Sequence, residues 1–67
     1  MQKPELTGRE LTILVLAAEG LRNQEIAQHM NLKEQTVKNE FSKMYRKIGA
    51  KDKAHAVAIA MRTNLIA

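Results

Sequence analysis

The sequence predicts an all-α domain of four helices, and three observations carry that prediction. Apolar residues make up 45% of the chain but aromatics only 3%, namely Phe41 and Tyr45. The core must therefore come from aliphatic side chains and alanine, a bias that favours helices. The apolar residues recur at intervals of three and four rather than two. Between the periodic stretches stand residues that start and stop helices, among them Thr7, Gly20, Asn23 and Asn31. Sixty-seven residues form one domain. At that size only about 60% of the unfolded chain's surface can be buried, which argues against a deep catalytic pocket.

Residues 1–5 read as a flexible arm and 6–67 as the folded domain. The stretch LTGRELTILVLAAEG, residues 6–20, opens with Thr7 and Glu10 at capping-box spacing. Leu6 and Leu11 stand where a hydrophobic staple needs its two partners. Ile13, Leu14, Ala17, Ala18 and Leu21 then form an apolar stripe, and Gly20 suits the left-handed position that closes a helix. The first helix is expected over about 8–19. The second runs from Asn23 or Gln24 to Met30, with Asn23 as its N-cap and Ile26, Ala27 and Met30 inward. Asn31 can adopt the left-handed conformation, and Leu32 plugs the corner. A third helix is expected over 34–48, with Lys33 a poor N-cap, and a fourth over about Ala54–Leu65.

The net charge of +4 is concentrated in residues 33–53, where seven cations face three carboxylates. The rest of the chain carries four of each. A clustered basic stretch is an electrostatic footprint for a polyanion, although on charge alone a solvated helix face remains open. On a helical wheel, Val37, Phe41, Met44, Tyr45 and Ile48 fall within an arc of about 100°, enough to bury one side of the third helix. Gln35, Lys38, Asn39, Ser42 and Arg46 occupy the next sector, and Thr36, Glu40, Lys43 and Lys47 the remaining one. The middle sector holds amides, a hydroxyl and two long cations, the chemistry of groups that read base edges and phosphates. A short second helix across the back of the third would hold that sector outward, which is the logic of a helix-turn-helix. An αα-hairpin with a polar outside shares the same wheel.

The fourth helix has an apolar arc of about 260°, far wider than one core contact needs. Part of it must face a partner or stay exposed. Ala54, Val57, Ala58, Met61 and Leu65 form one stripe, taken as a dimer interface; Ala56, Ile59 and Ala60 form another. The sequence does not say which stripe faces the core, and small alanine side chains can also simply remain exposed.

Catalysis has no support. There is no cysteine, and His29 and His55 fall in different helices without a carboxylate at ligand spacing, so no metal or cofactor is expected. The carboxylates are scattered, none of them in an apolar run that would raise its pKa, and no glycine-rich phosphate loop is present. LTILVLAAEGL is too short to span a bilayer and lacks a basic leader, so no membrane partner is expected and the cytoplasm is the default location.

The motifs LTGRE at 6–10, AAEGLRNQEIA at 17–27, TVKN at 36–39 and KIGAKDKAHAVAIA at 47–60 follow one another along the chain. They carry a resemblance, over about residues 6–66, to the LuxR/NarL-type (GerE-like) helix-turn-helix domain of bacterial transcription factors. It implies a four-helix domain that binds double-stranded DNA through its third helix and dimerises through its fourth. Carried over by position, it places base reading on Lys38, Asn39 and Ser42, beside Gln35 from the wheel. Backbone contacts fall on Asn23, Gln24, Thr36 and Arg46, to which the basic segment adds Lys43 and Lys47. Arg9 and Glu10 match the family's Arg-Glu pair, Glu10 as a cap and Arg9 tying the first helix to the rest. The departures are Arg22 and Lys33 at usual Ser/Thr cap positions, Glu40 at a frequent His and Thr12 at a frequent Glu. Glu40 lies off the reading sector, where Lys43 can pair with it.

The function expected is a sequence-specific transcriptional regulator, or the output domain of one, acting as a homodimer on a two-fold site. Two alternatives share these features. One is a sigma-factor region-4-like domain that contacts promoters with RNA polymerase. The other is an interaction module that pairs with and inhibits a larger regulator of the same family.

Overall fold

The computed structural model describes residues 5–66, so the arm expected over residues 1–5 lies, apart from Glu5, outside the described residues. Four helices follow in order: α1 Gly8–Ala18, α2 Asn23–Met30, α3 Glu34–Ile48 and α4 Lys53–Arg62. No strand occurs among the described residues, and the all-α expectation holds.

The expected box starts α1. The Glu10 N–H donates to Thr7 Oγ1 at 3.1 Å and the Thr7 N–H to Glu10 Oε1 at 2.8 Å, satisfying two amides that the first turn leaves without carbonyl partners. Leu6 and Leu11 both lie against the core. Gly20, at φ +97°, ends the helix with the Leu21 N–H bonded to the Leu16 carbonyl and its own to Ala17. This is the paired pattern of a Schellman turn, which left-handed glycine forms without a Cβ clash. Leu16 is buried and Ala18 exposed, so the inward stripe of α1 is rotated slightly from the expected one.

Asn23 is not the N-cap of α2. Arg22 takes that backbone position, offering no side-chain acceptor, while the Glu25 carboxylate accepts the Arg22 N–H at 2.8 Å. Asn31 is left-handed at φ 57°, and the Leu32 N–H returns to the Ala27 carbonyl, which turns the chain into α3 within three residues. Lys33 caps α3 with backbone only, as its side chain dictates. At the far end Gly49, also left-handed, sends the chain towards α4.

Helix α4 differs most from expectation. Asp52 is its N-cap, accepting the His55 N–H at 2.8 Å, and it ends at Arg62 rather than Leu65. Asn64 turns left-handed at φ 59°, the Leu65 N–H bonds the Ala60 carbonyl, and Ile66 folds back into the core. Leu65 therefore belongs to the terminal turn, not to the helix.

The core gathers Ile13 and Leu14 from α1, Ile26 and Ala27 from α2, Val37, Phe41 and Met44 from α3, and Ala56 and Ala60 from α4. The most extensive helix pairing is α2 on α3, the two helices of the sharp corner.

Candidate nucleic-acid interface

Helix α3 buries Val37, Phe41 and Met44, its predicted apolar face. With that side fixed against the core, Gln35, Lys38, Asn39, Ser42 and Arg46 all emerge exposed on the side away from it. Four of them make contacts along the helix. Gln35 Nε2 donates to Asn39 Oδ1 at 3.0 Å, aligning two amide groups whose donor–acceptor chemistry matches that of base edges. Ser42 Oγ donates to the Lys38 carbonyl at 3.2 Å, which leaves its oxygen free to accept. Lys38 Nζ lies 3.7 Å from Glu34 Oε2, with both side chains about half exposed. An exposed i,i+4 pair of this kind is worth only about 0.3–0.5 kcal/mol, so a phosphate or guanine edge can displace it.

The third sector of the wheel faces α1. Glu40 does not pair with Lys43: its carboxylate is only 12% exposed and lies 3.7 Å from Arg9 Nη1. Arg9 thus ties α1 to α3, and Glu40 is held away from the reading sector. Lys47 is also committed. Its Nζ donates to Glu10 Oε1 at 2.8 Å, and the Glu10 side chain is 1% exposed. Burial by itself would raise the Glu10 pKa, but the Lys47 ammonium and the Thr7 amide outweigh it and hold the carboxyl below its ordinary value. Thr7, Arg9, Glu10, Glu40, Lys43 and Lys47 line a cleft of about 340 Å³ between α1 and α3. Lys43 is exposed there without an ion partner among the described residues. Lys47, expected to meet phosphate, is thus bonded to Glu10 in the free domain. Glu10, read only as a cap, is the one charged side chain buried among the described residues.

Of the other expected backbone-contacting residues, Arg46 and Gln24 are exposed, while Asn23 and Thr36 are half-buried. Asn23 Oδ1 accepts from Lys53 Nζ at 3.1 Å, a contact across 30 residues. Lys53 was not among the expected site residues. The stripe ambiguity on α4 is resolved: Ala56 and Ala60 are fully buried, and Ala54, Ala58 and Met61 face outward, Met61 at 53% exposure. Val57 and Leu65, expected with the outward stripe, are half-buried against the core.

This arrangement is matched among known proteins. The family described as "Bacterial regulatory proteins, luxR family" matches residues 4–60. The chain belongs to the luxR family of bacterial regulatory proteins. Among its relatives, the transcriptional regulatory protein YdfI of Bacillus subtilis is 36% identical over 62 residues, 92% of this chain and 29% of that protein. The response regulator protein VraR of Staphylococcus aureus is 43% identical over 61 residues, 91% of this chain and 29% of its own. The crystal structure of response regulator ChrA, from a heme-sensing two-component system, superposes with a TM-score of 0.91. It is 30% identical and matches 98% of this chain and 33% of its own. The Vibrio cholera VqmA–ligand–DNA complex superposes with a TM-score of 0.84 at 30% identity, over 94% of this chain and 28% of that one. This luxR-family domain thus spans about a third or less of the proteins it matches. Among the described residues no helix is long and apolar enough to cross a membrane.

Proposed function

We propose that this luxR-family domain reads a specific double-stranded DNA sequence with α3 in the major groove, as the DNA-binding part of a cytoplasmic transcriptional regulator. The observation that carries the reading is the exposed file of Gln35, Lys38, Asn39, Ser42 and Arg46, directed outward because α2 holds the opposite face of α3 in the core. Lys38, Asn39, Ser42 and Gln35 meet base edges; Asn23, Gln24, Thr36, Lys43 and Arg46 meet the sugar–phosphate backbone. A solved relative described as a DNA complex supports DNA as the partner.

The domain acts as a homodimer on two half-sites. Ala54, Ala58 and Met61 expose apolar surface on α4 that the core does not use, and small alanines allow close approach of a second helix. One face of a ten-residue helix is a small interface. The dimer is accordingly weak in free solution and tightens when both copies sit on DNA.

Selection of bound sites from a random duplex library tests the reading, with a two-fold symmetric consensus as the expected result. Against that consensus, Asn39→Ala and Ser42→Ala should each relax preference at one or two base positions, costing roughly 1–3 kcal/mol on the best site. Variants that keep the wild-type ratio of specific to scrambled affinity would show that α3 is not the reading helix.

A further inference from the structure

Two cations outside the set above stand near Asn23, Lys53 by direct contact and Arg22 as its neighbour in the chain. Lys53, the first residue of α4, directs its ammonium at Asn23 Oδ1, 3.1 Å away. The same nitrogen lies 5.5 Å from the centroid of the Phe41 ring, within cation–π range. Arg22 is exposed and lines, together with Lys53, an open cleft of about 430 Å³ whose floor includes Leu21, Ala54 and Val57. Neither cation has a carboxylate partner among the described residues. The neighbouring acids are engaged elsewhere, Glu25 with the Arg22 N–H and Asp52 with the His55 N–H.

An amide oxygen and an aromatic face fix the Lys53 ammonium in place without neutralising it. The Phe41 ring favours a cation at this place but carries no net charge, so the ammonium keeps its full charge for an anion. The tie also orients Asn23. Because Lys53 can only donate, it engages Oδ1, and the Asn23 Nδ2 hydrogens are left as donors for another acceptor. Two cations and an amide donor beside one another, with no adjacent free carboxylate, suit the two charged oxygens of a phosphodiester. A lysine already held in position loses less rotamer freedom on binding than a free one.

We infer that Lys53 and Arg22, together with the Asn23 amide that Lys53 orients, grip a DNA phosphate on the side of the interface formed by α2. This contact extends to the start of α4 and rests on the reading that the domain binds duplex DNA. It also couples the two proposed functions of the molecule, since the helix whose outer face carries Ala54, Ala58 and Met61 is then anchored to DNA at its first residue.

Lys53→Gln tests it, because glutamine keeps a donor for Asn23 Oδ1 while removing the charge. Binding to a short duplex of scrambled sequence, followed by fluorescence anisotropy across salt concentrations, should show the log–log slope flattened by about 0.9. Equivalently, the affinity ratio of wild type to variant should be about 3–4-fold larger near 50 mM than near 200 mM salt. Lys53→Arg should retain the wild-type slope. Arg22→Gln, at an exposed position with no packing role, should flatten the slope in the same way, independently of any effect of Lys53 on folding. Specific-to-scrambled ratios should be unchanged in all three. A wild-type slope in both glutamine variants would overturn the contact while leaving the DNA reading intact. A wild-type domain with no salt-dependent duplex binding would overturn both.

Discussion

Lys47→Met tests whether a lysine in the helix proposed to read DNA belongs to the fold rather than to the DNA. In the native domain its ammonium sits 2.8 Å from a Glu10 carboxylate that is 1% exposed. Removing the ammonium leaves Glu10 with only the Thr7 amide. Breaking a fully buried ion pair costs about 3–5 kcal/mol, and losing a hydrogen bond to a charged group about 1.5–3. Lys47 is 38% exposed and its end of the pair is screened by water, so the lower figure applies, and a loss of about 2 kcal/mol is expected. In a domain of this size each kcal/mol moves the melting midpoint by roughly 4–8 °C, so it should fall by roughly 8–16 °C. The pH dependence carries a sign. The folded Glu10 pKa is depressed, so its contribution is present above the unfolded pKa and lost as pH falls through the folded one. The wild-type advantage over Lys47→Met should therefore be full at neutral pH and shrink as the pH drops below the ordinary carboxylate value of about 4. Glu10→Gln combined with Lys47→Met should recover part of the loss, since the neutral amide oxygen still accepts the Thr7 N–H. Urea melts followed by circular dichroism between neutral and acidic pH measure all three. An unchanged midpoint in Lys47→Met, together with a flatter salt dependence of DNA binding, would refute the assignment and return Lys47 to the phosphate contacts.

Two further outcomes test the face assignments of α4. Met61→Lys should lower occupancy of a full two-fold site more than of a single half-site in a gel-shift titration, and equal losses would remove the dimer. Ala60→Leu, at a fully buried position, should cost about 1–3 kcal/mol by overpacking, whereas Ala58→Leu, exposed two residues away, should leave the thermal midpoint nearly unchanged in the free domain.

Features legible in the sequence are those whose physical cause lies within one helical turn. The Thr7–Glu10 box, the Gly20 stop, the left-handed Asn31 corner and the apolar wheel of α3 each depend on residues a few positions apart, so order along the chain is enough to specify them. The exposed file of Gln35, Lys38, Asn39, Ser42 and Arg46 belongs with them in part: the wheel set it beside the buried face, and packing of the Glu40 and Lys47 side against α1 left it as the free one. The Asp52 cap of α4 was missed in the sequence although its signal is equally local, a short acid three residues before the amide it accepts.

The tertiary structure alone decided which charges meet. Lys47 with Glu10, Arg9 with Glu40 and Lys53 with Asn23 join residues some thirty or more positions apart. Their partners depend on how whole helices cross, and no local spacing records that. It decided the stripes of α4 as well. Alanine on nearly every side offers too little amphipathic contrast to orient a helix, so α1 and α3 selected Ala56 and Ala60 by the space they left between them. The rest of that helix, Ala54, Ala58 and Met61, was turned outward as a consequence.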